Sequence, residues 1–258
     1  MARYALTDVH GCAQTLKAMI LNQLELNKED ELYILGDLVN KRPDSKEVID
    51  FVIHLQKQHY QVTCLRGNHD EMLLQASVKG EKALNLTPTE KKLTMQSFGI
   101  DRFEQLSEKY VKFIENLPHY LELPDYFIVH AGFDFKQPDI FRDKDAMLNI
   151  RNYKVNSDKI NNKRLLHGHT PTPLHNIKKT VSHQNSRINL DAGCVYYRNA
   201  AYGNLVALDL DSHKLYVQEN IDRPYSVARK SWKNIFHEAN SWRLYRDHYF
   251  KEDLMLQN

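Results

Sequence analysis

Aspartate, asparagine and histidine recur in this chain directly after short apolar runs. One run ends in Asp8-Val9-His10-Gly11, a second in Gly36-Asp37 and a third in Gly67-Asn68-His69-Asp70. Two later runs end in His130-Ala131-Gly132 and His167-Gly168-His169. Turn chemistry explains one such stretch, since Asn, Asp and Gly suit bends and helix caps. It does not explain five converging ones. Carboxylates, one amide oxygen and imidazoles, with no thiolate among them, form a mixed nitrogen and oxygen donor set. Such a set suits two divalent ions of the Mn, Zn or Fe kind rather than a structural cysteine-rich zinc. A single bridging carboxylate would hold the ions about 3.5–4 Å apart. An ion pair of this kind polarises phosphoryl oxygens and generates hydroxide near neutral pH.

The elements that must position these residues alternate at first. Strand-like runs at Arg3 to Thr7, Glu31 to Leu35 and Gln61 to Leu65 are separated by amphipathic helical patterns at Cys12 to Leu24 and Ser45 to Gln58. In the first helix Leu16, Met19, Ile20 and Leu24 share a face, and in the second Val48, Val52 and Leu55 do. A β-α-β-α-β start of this type predicts a largely parallel sheet packed by helices. In open sheets of that kind ligands bind beyond the carboxyl ends of the strands. Residues 71–117 read as polar helix, with an N-terminal cap near Thr87-Pro88-Thr89-Glu90. Strands follow at Tyr120 to Leu123, Tyr126 to Val129, Leu165-Leu166, Arg187 to Leu190, Leu205 to Leu210 and Leu215 to Glu219. The last two read as a hairpin. Their clustering predicts two sheets within one domain.

The bulk properties exclude several classes. The chain has 258 residues, which fits one large α/β domain. Hydrophobic residues make up 42% and charged residues 26%, an ordinary globular composition. A formal charge of +2 implies no strong pull toward nucleic acid or membranes, so neither is expected as a partner. The basic stretch ARKSWK reads as a solvated helix. Cys12, Cys64 and Cys194 are scattered and odd in number, which points to a reducing, cytoplasmic setting. The first residues enter strand-like sequence at once, so no signal peptide is expected. No run is long enough for a bilayer span. Of the 13 histidines, those outside the strand ends read as surface or packing residues. His167 reads as a buried supporting histidine rather than a third ligand, and Cys12 as a small buried thiol.

The stretches DVHG, GDLVN, RGNHD, VHAG and HGHTP, in this order, resemble the five signature blocks of the calcineurin-like metallophosphoesterases. Arg66 at the head of the third block, and the run NLDAGCVY followed by GNLVALDL, resemble the phosphoprotein phosphatase branch. That branch includes bacterial serine/threonine phosphatases and the related symmetrical diadenosine tetraphosphatases. The resemblance spans residues 1–222. It implies an α/β fold, an α/β/β/α sandwich of two mixed sheets flanked by helices. The domain would cover residues 1–224, with 71–117 as a helical insert or cap and 225–258 as a helical C-terminal tail.

The resemblance also implies roles. Asp8 and His10 would hold one ion, Asp37 would bridge both, and Asn68, His130 and His169 would complete the second. Mn is the expected metal, with Fe and Zn as alternatives. His69 would protonate the leaving oxygen. Arg66 would grip phosphate through a bidentate guanidinium, and Arg151, in MLNIR, would supply another phosphate contact. Asp70 would cap the following helix. The chain departs from the pattern in the second block, Gly36-Asp37-Leu38-Val39-Asn40-Lys41-Arg42-Pro43. Asn40 stands where relatives carry a carboxylate that pairs with the histidine. An amide can orient an imidazole but cannot stabilise its cation as a carboxylate does. Lys41 replaces a phosphate-holding Arg by a point charge. Arg42 replaces a Gly, which would cost about 1–2 kcal/mol if the position has positive φ. The expected function is metal-dependent phosphoester hydrolysis, first on phosphoserine or phosphothreonine in proteins. A dinucleotide polyphosphate such as diadenosine tetraphosphate is the alternative substrate. A metal-bound scaffold without catalysis is the remaining rival.

Overall fold

The computed structural model of the chain describes residues 1–183, 185–199 and 201–222. The described residues belong to the compact unit Met1–Asp222. The expected tail at 225–258 lies outside them. Strands β1 (Arg3–Leu6), β2 (Glu31–Ile34) and β3 (Gln61–Cys64) pair in parallel, in the order β3-β2-β1. Helices α1 (Ala13–Ala18), which runs on into a π turn over Met19–Gln23, and α2 (Ser45–Lys57) make the two crossovers. After α3 (Asn68–Lys79), α4 (Pro88–Phe98) and α5 (Glu108–Glu115) the chain enters a second sheet. Strands β4 (Tyr120–Glu122), β5 (Tyr126–Val129), β6 (Arg164–His167) and β7 (Arg187–Asn189) line up there in sequence order. Helix α6 (Lys144–Asn149) lies between β5 and β6, and α7 (Leu174–Ser182) between β6 and β7. The closing hairpin, β8 (Asn204–Asp209) and β9 (Leu215–Glu219), returns to the first sheet, where β8 pairs antiparallel with β1. Both sheets are therefore mixed, as the resemblance implied.

Period-two alternation builds the layers. In β1, Tyr4 and Leu6 face the helices on the outer side of the first sheet, and Ala5 faces the second sheet. Leu32 and Ile34 of β2 repeat the outer set, while Tyr33 and Leu35 repeat the inner one. From the other side Tyr126, Ile128, Leu166 and Ile188 enter the same inner core. Phe127, Val129 and Leu165 face outward, against Phe133, Ile140, Met147 and Ile160. The result is an α/β/β/α sandwich.

One expectation changes in detail. Helix α3 begins at Asn68, three residues before the polar helical stretch read from the sequence. The stretch 71–117, expected as a helical insert or cap, packs on the first sheet. Leu73, Ala76, Leu84, Phe103, Tyr110 and Ile114 all enter the outer core of the first sheet, so this segment forms part of its helical layer. Its polar appearance comes from the solvent faces of short helices. The expected cap at α4 forms: Thr87 Oγ1 accepts from Glu90 N at 3.3 Å, and Glu90 Oε2 accepts from Thr87 N at 2.9 Å.

Ile128 is fully buried between the sheets. Ile128→Ala should lower unfolding stability by about 2–5 kcal/mol, whereas Val78→Ala, on an exposed side chain, should stay within about 0.5 kcal/mol. Denaturant titration of both variants checks the assignment of the inner core.

Candidate metal centre

The loops that leave β1 and β2 are tied to one another before any side chain is considered. Asp8 N donates to Gly36 O at 3.2 Å, His10 N to Asp37 O at 2.8 Å and Gly11 N to Leu38 O at 2.9 Å. Asp8, His10, Asp37, Asn40, Lys41 and His169 all have positive φ, between 48° and 70°. Non-glycine residues rarely adopt that region, and clusters of them mark functional sites. Here the left-handed turns aim successive side chains into one space at the strand ends.

Asp70 holds the arrangement from below. It is fully buried, and its Oδ2 accepts from Gly67 N at 2.9 Å, which closes the cap of α3 as expected. It also accepts from Asp37 N at 2.8 Å and Leu38 N at 3.0 Å, bonds that no sequence pattern announced. Asp37 in turn accepts from His69 N through Oδ1 at 2.9 Å. A Cβ on Gly67 would stand 2.2 Å from both Asp37 N and Asp37 Oδ1, so only glycine permits this approach. Gly168 plays the same part for Asp8. A Cβ there would stand 2.2 Å from Asp8 Oδ2, which accepts from Thr7 Oγ1 at 2.6 Å and His169 N at 3.0 Å.

Two groups of donor atoms converge. In the first, His10 Nδ1 faces Val39 O at 3.2 Å, which makes it the protonated nitrogen. The lone pair of Nε2 then faces Asp37 Oδ2 at 3.4 Å and Asp8 Oδ1 at 3.7 Å. In the second, His130 Nδ1 donates to Leu35 O at 2.9 Å. Its Nε2 faces Asn68 Oδ1 at 3.0 Å, His169 Nδ1 at 3.2 Å and Asp37 Oδ1 at 3.5 Å. His169 Nδ1 and Asn68 Oδ1 are 3.0 Å apart. Asp37 belongs to both groups.

Titration behaviour follows from burial. Desolvation, followed by the neighbouring Lys41 charge, holds His10 well below its ordinary pKa. His169 is pushed down to about 3, chiefly by burial and then by His130. These imidazoles are neutral and keep a lone pair for a cation. Asp37 is pushed well above the carboxylate range by burial and by Asp8. Buried acceptors at 3.0–3.7 Å from one another repel unless a cation lies among them. The donor chemistry thus fits two divalent ions, one at Asp8, His10 and Asp37 and the other at Asp37, Asn68, His130 and His169.

The remaining residues are placed as follows. His69 is buried beside His10, its ring edge-on with 4.7 Å between centroids, and its Nδ1 has no hydrogen-bond partner. Asn40 makes no hydrogen bond to that ring. Its Nδ2 donates to the His69 backbone carbonyl at 3.0 Å, and its Oδ1 accepts from Thr94 Oγ1 at 3.1 Å. Lys41 Nζ lies 2.8 Å from His10 Nε2, beside the first group. Arg151 Nη1 makes only long contacts, 3.5 Å to His169 O and 3.4 Å to Thr170 Oγ1. These contacts set it beside the second donor group. Arg66, the other expected phosphate contact, has partners of its own within the protein. Glu71 Oε2, at 2.9 Å, and the Glu115 carbonyl, at 2.6 Å, capture its guanidinium, making it a strut between α3 and α5. Arg42 is not among the positive-φ residues, so the cost expected for replacing a Gly does not arise. The left-handed positions are Asn40 and Lys41 instead. His167 is engaged elsewhere: its Nε2 accepts from Arg187 Nε at 2.8 Å, and Nδ1 faces Gly168 O at 3.0 Å. Cys12 is fully buried.

Sequence reasoning missed Thr94 and Asp191. Asp191 is buried and accepts from Gly193 N at 2.8 Å; burial and then Asp8 push it well above the carboxylate range. Its one signal was its place in the LDAG run.

A dimetal-type donor cluster at the strand ends of a two-sheet sandwich defines the class. The calcineurin-like phosphoesterase family model matches residues 1–202, and the chain belongs to that family. A protein of Pseudomonas putida named bis(5'-nucleosyl)-tetraphosphatase, symmetrical, is 33% identical over 133 residues, which cover 51% of this chain and 42% of that protein. A protein of the same name from Ectopseudomonas mendocina is 39% identical over 74 residues, 29% of this chain and 26% of that protein. The chain thus matches less than half the length of these relatives. Among solved structures, a putative diadenosine tetraphosphatase superposes with a TM-score of 0.55 at 20% identity, covering 84% of this chain and 93% of the other. A Saccharomyces cerevisiae serine/threonine phosphatase with similarity to human PP5 reaches 0.61 at 15% identity, covering 87% and 81%. At these identities the two structures show the shared fold. Among the described residues, no helix is long and apolar enough to cross a membrane.

If Asp70 fixes the Asp37 turn, Asp70→Ala should weaken divalent-ion binding by roughly 10–100-fold while the chain stays folded. Calorimetric titration of the variant with Mn, alongside circular dichroism, measures both. Unchanged affinity would remove Asp70 from the support of the centre.

Proposed function

We propose that the protein is a dimetal phosphohydrolase that cleaves the phosphoanhydride of a dinucleotide polyphosphate. The observation that carries the hydrolase reading is the convergence of Asp8, His10, Asn68, His130 and His169 on Asp37, in two groups that share that carboxylate. Two divalent ions held there, Mn being the expected pair, would supply Lewis-acid polarisation of phosphoryl oxygens and would activate water as the nucleophile near neutral pH. Lys41 and Arg151 neutralise charge on the phosphoryl group from the rim. His69 gives its proton to the leaving oxygen.

The choice of substrate rests on that proton. His69 Nδ1 has no partner, and Asn40 is turned to the backbone. The ring therefore lacks the carboxylate contact that would support an imidazolium. A weakly supported acid suits a leaving group that needs little protonation. A nucleotide phosphate released from an anhydride is such a group; the alkoxide of serine or threonine is not. The names of the Pseudomonas and Ectopseudomonas relatives agree with this reading. A phosphoserine or phosphothreonine peptide is the second reading, supported by the resemblance of the sequence blocks to protein phosphatases.

Chelation should abolish hydrolysis, and Mn should restore it. The restored enzyme should show a kcat/KM on diadenosine tetraphosphate at least about tenfold above that on a phosphoserine peptide, a smaller margin than the 10²–10⁴ that full acid assistance is worth. Steady-state kinetics on both substrates decides the matter. Full activity after exhaustive chelation would overturn the dimetal reading, and a preference for the peptide would overturn the substrate.

A further inference from the structure

Helix α4 lies on the outer face of the first sheet, and its role in the chemistry is not evident from sequence. Among its residues Thr94 alone is buried, with no exposed surface at all. Thr94 Oγ1 stands 3.1 Å from Asn40 Oδ1 and 3.0 Å from the Glu90 carbonyl, so its one hydrogen lies between two acceptors. Asn40 is equally buried, and both arms of its amide are used. The orientation of that amide is set by its partners. With Oδ1 toward Thr94, Nδ2 donates to the His69 carbonyl; reversed, two acceptor oxygens would face each other at His69.

His69 is held by its backbone. Its N–H donates to Asp37 Oδ1 at 2.9 Å, and its carbonyl accepts from Asn40 Nδ2 at 3.0 Å. The ring has edge-on packing against His10 and no partner on Nδ1. What aims the imidazole is therefore the main chain beneath it. An aspartate at position 40 would set an oxygen against that carbonyl, so the asparagine is the residue this geometry requires.

We infer that Thr94 and Asn40 act as positioning residues for His69, a latch from helix α4 that aims the ring through its backbone carbonyl where no side chain holds the ring itself. The inference rests on the reading of His69 as the proton donor. It gives a helix outside the signature blocks a part in the reaction.

Thr94→Val keeps the shape and removes the hydroxyl, and Thr94→Ser keeps the hydroxyl. The Mn-loaded wild type and both variants are assayed on phenyl phosphate, whose leaving group needs a proton, and on p-nitrophenyl phosphate, whose leaving group does not. The latch predicts that Thr94→Val lowers kcat on phenyl phosphate about tenfold, part of the 10²–10⁴ a general acid contributes. KM, and the rate on the nitrophenyl ester, should stay within about twofold, and Thr94→Ser should restore the loss. Hydrogen exchange by mass spectrometry supplies a readout that needs no turnover: Thr94→Val should speed exchange in the first turn of α3, and Thr94→Ser should not. Equal losses on both esters, no loss, or no rescue by serine would overturn the latch. So would unchanged exchange in α3. Wild-type protein with Mn that is inactive on both esters and on diadenosine tetraphosphate would instead overturn the hydrolase reading, and the exchange data would still judge the latch.

Discussion

The constraint on which the structure turns is repulsion among buried acceptors. Two carboxylates, an amide oxygen and three imidazole lone pairs are pressed together at the strand ends, with contacts of 3.0–3.7 Å. Left to themselves such groups would separate or take up protons, and the upward shift of Asp37 expresses that tendency. They stay in place because the backbone beneath them is over-determined. Three main-chain bonds join the β1 and β2 loops, and three N–H groups from two loops meet on Asp70. The centre is thus a cation site prepared by the fold, with strain held in left-handed residues that a less constrained loop would relax.

The sandwich explains why these loops can be so rigid. Strands β1, β2 and β3 run parallel, so their carboxyl ends emerge side by side. Strands β5 and β6, also parallel, deliver His130 and His169 from the second sheet. Gly168 N donates to His130 O at 2.8 Å, and His169 N reaches across the layers to Asp8. The first sheet contributes Ala5, Leu35 and Leu208 to the inner core, and the second contributes Ile128 and Leu166. Closure of the two sheets on these side chains is therefore also closure of the donor set.

Much of this was legible because donor type and strand end coincide in sequence. Asp8, His10, Asp37, Asn68, His130 and His169 each follow a short apolar run, and alternation assigns the faces of those runs. What stayed hidden depends on long-range pairing. The hairpin β8–β9 reads as a hairpin, but nothing in it says that β8 pairs with β1. Arg66 sits in the right block, yet the chain 49 residues further on supplies the carbonyl that captures it. Asn40 was legible as a departure, while its direction was not, because Thr94 lies 54 residues away in a helix of polar appearance. Arg42 and Lys41 illustrate a smaller loss: the block needed left-handed backbone, but at Asn40 and Lys41, the two positions before the Arg that replaces a Gly.

The amide at position 40 also bears on how such a site divides its labour. A carboxylate beside His69 would raise the affinity of the ring for a proton, but it would add a further buried anion near Asp37 and Asp8. Asp8 already opposes the ionisation of Asp37. An amide adds no charge, satisfies two buried partners, and leaves proton affinity to the ring alone. On the proposed function, the consequence would be a centre strong in the stabilisation of phosphoryl charge, through Lys41, Arg151 and the ions the donor set would hold, and modest in proton donation. That balance matches anhydride cleavage, where the charge on the transferred group is large and the leaving oxygen is already a stable anion.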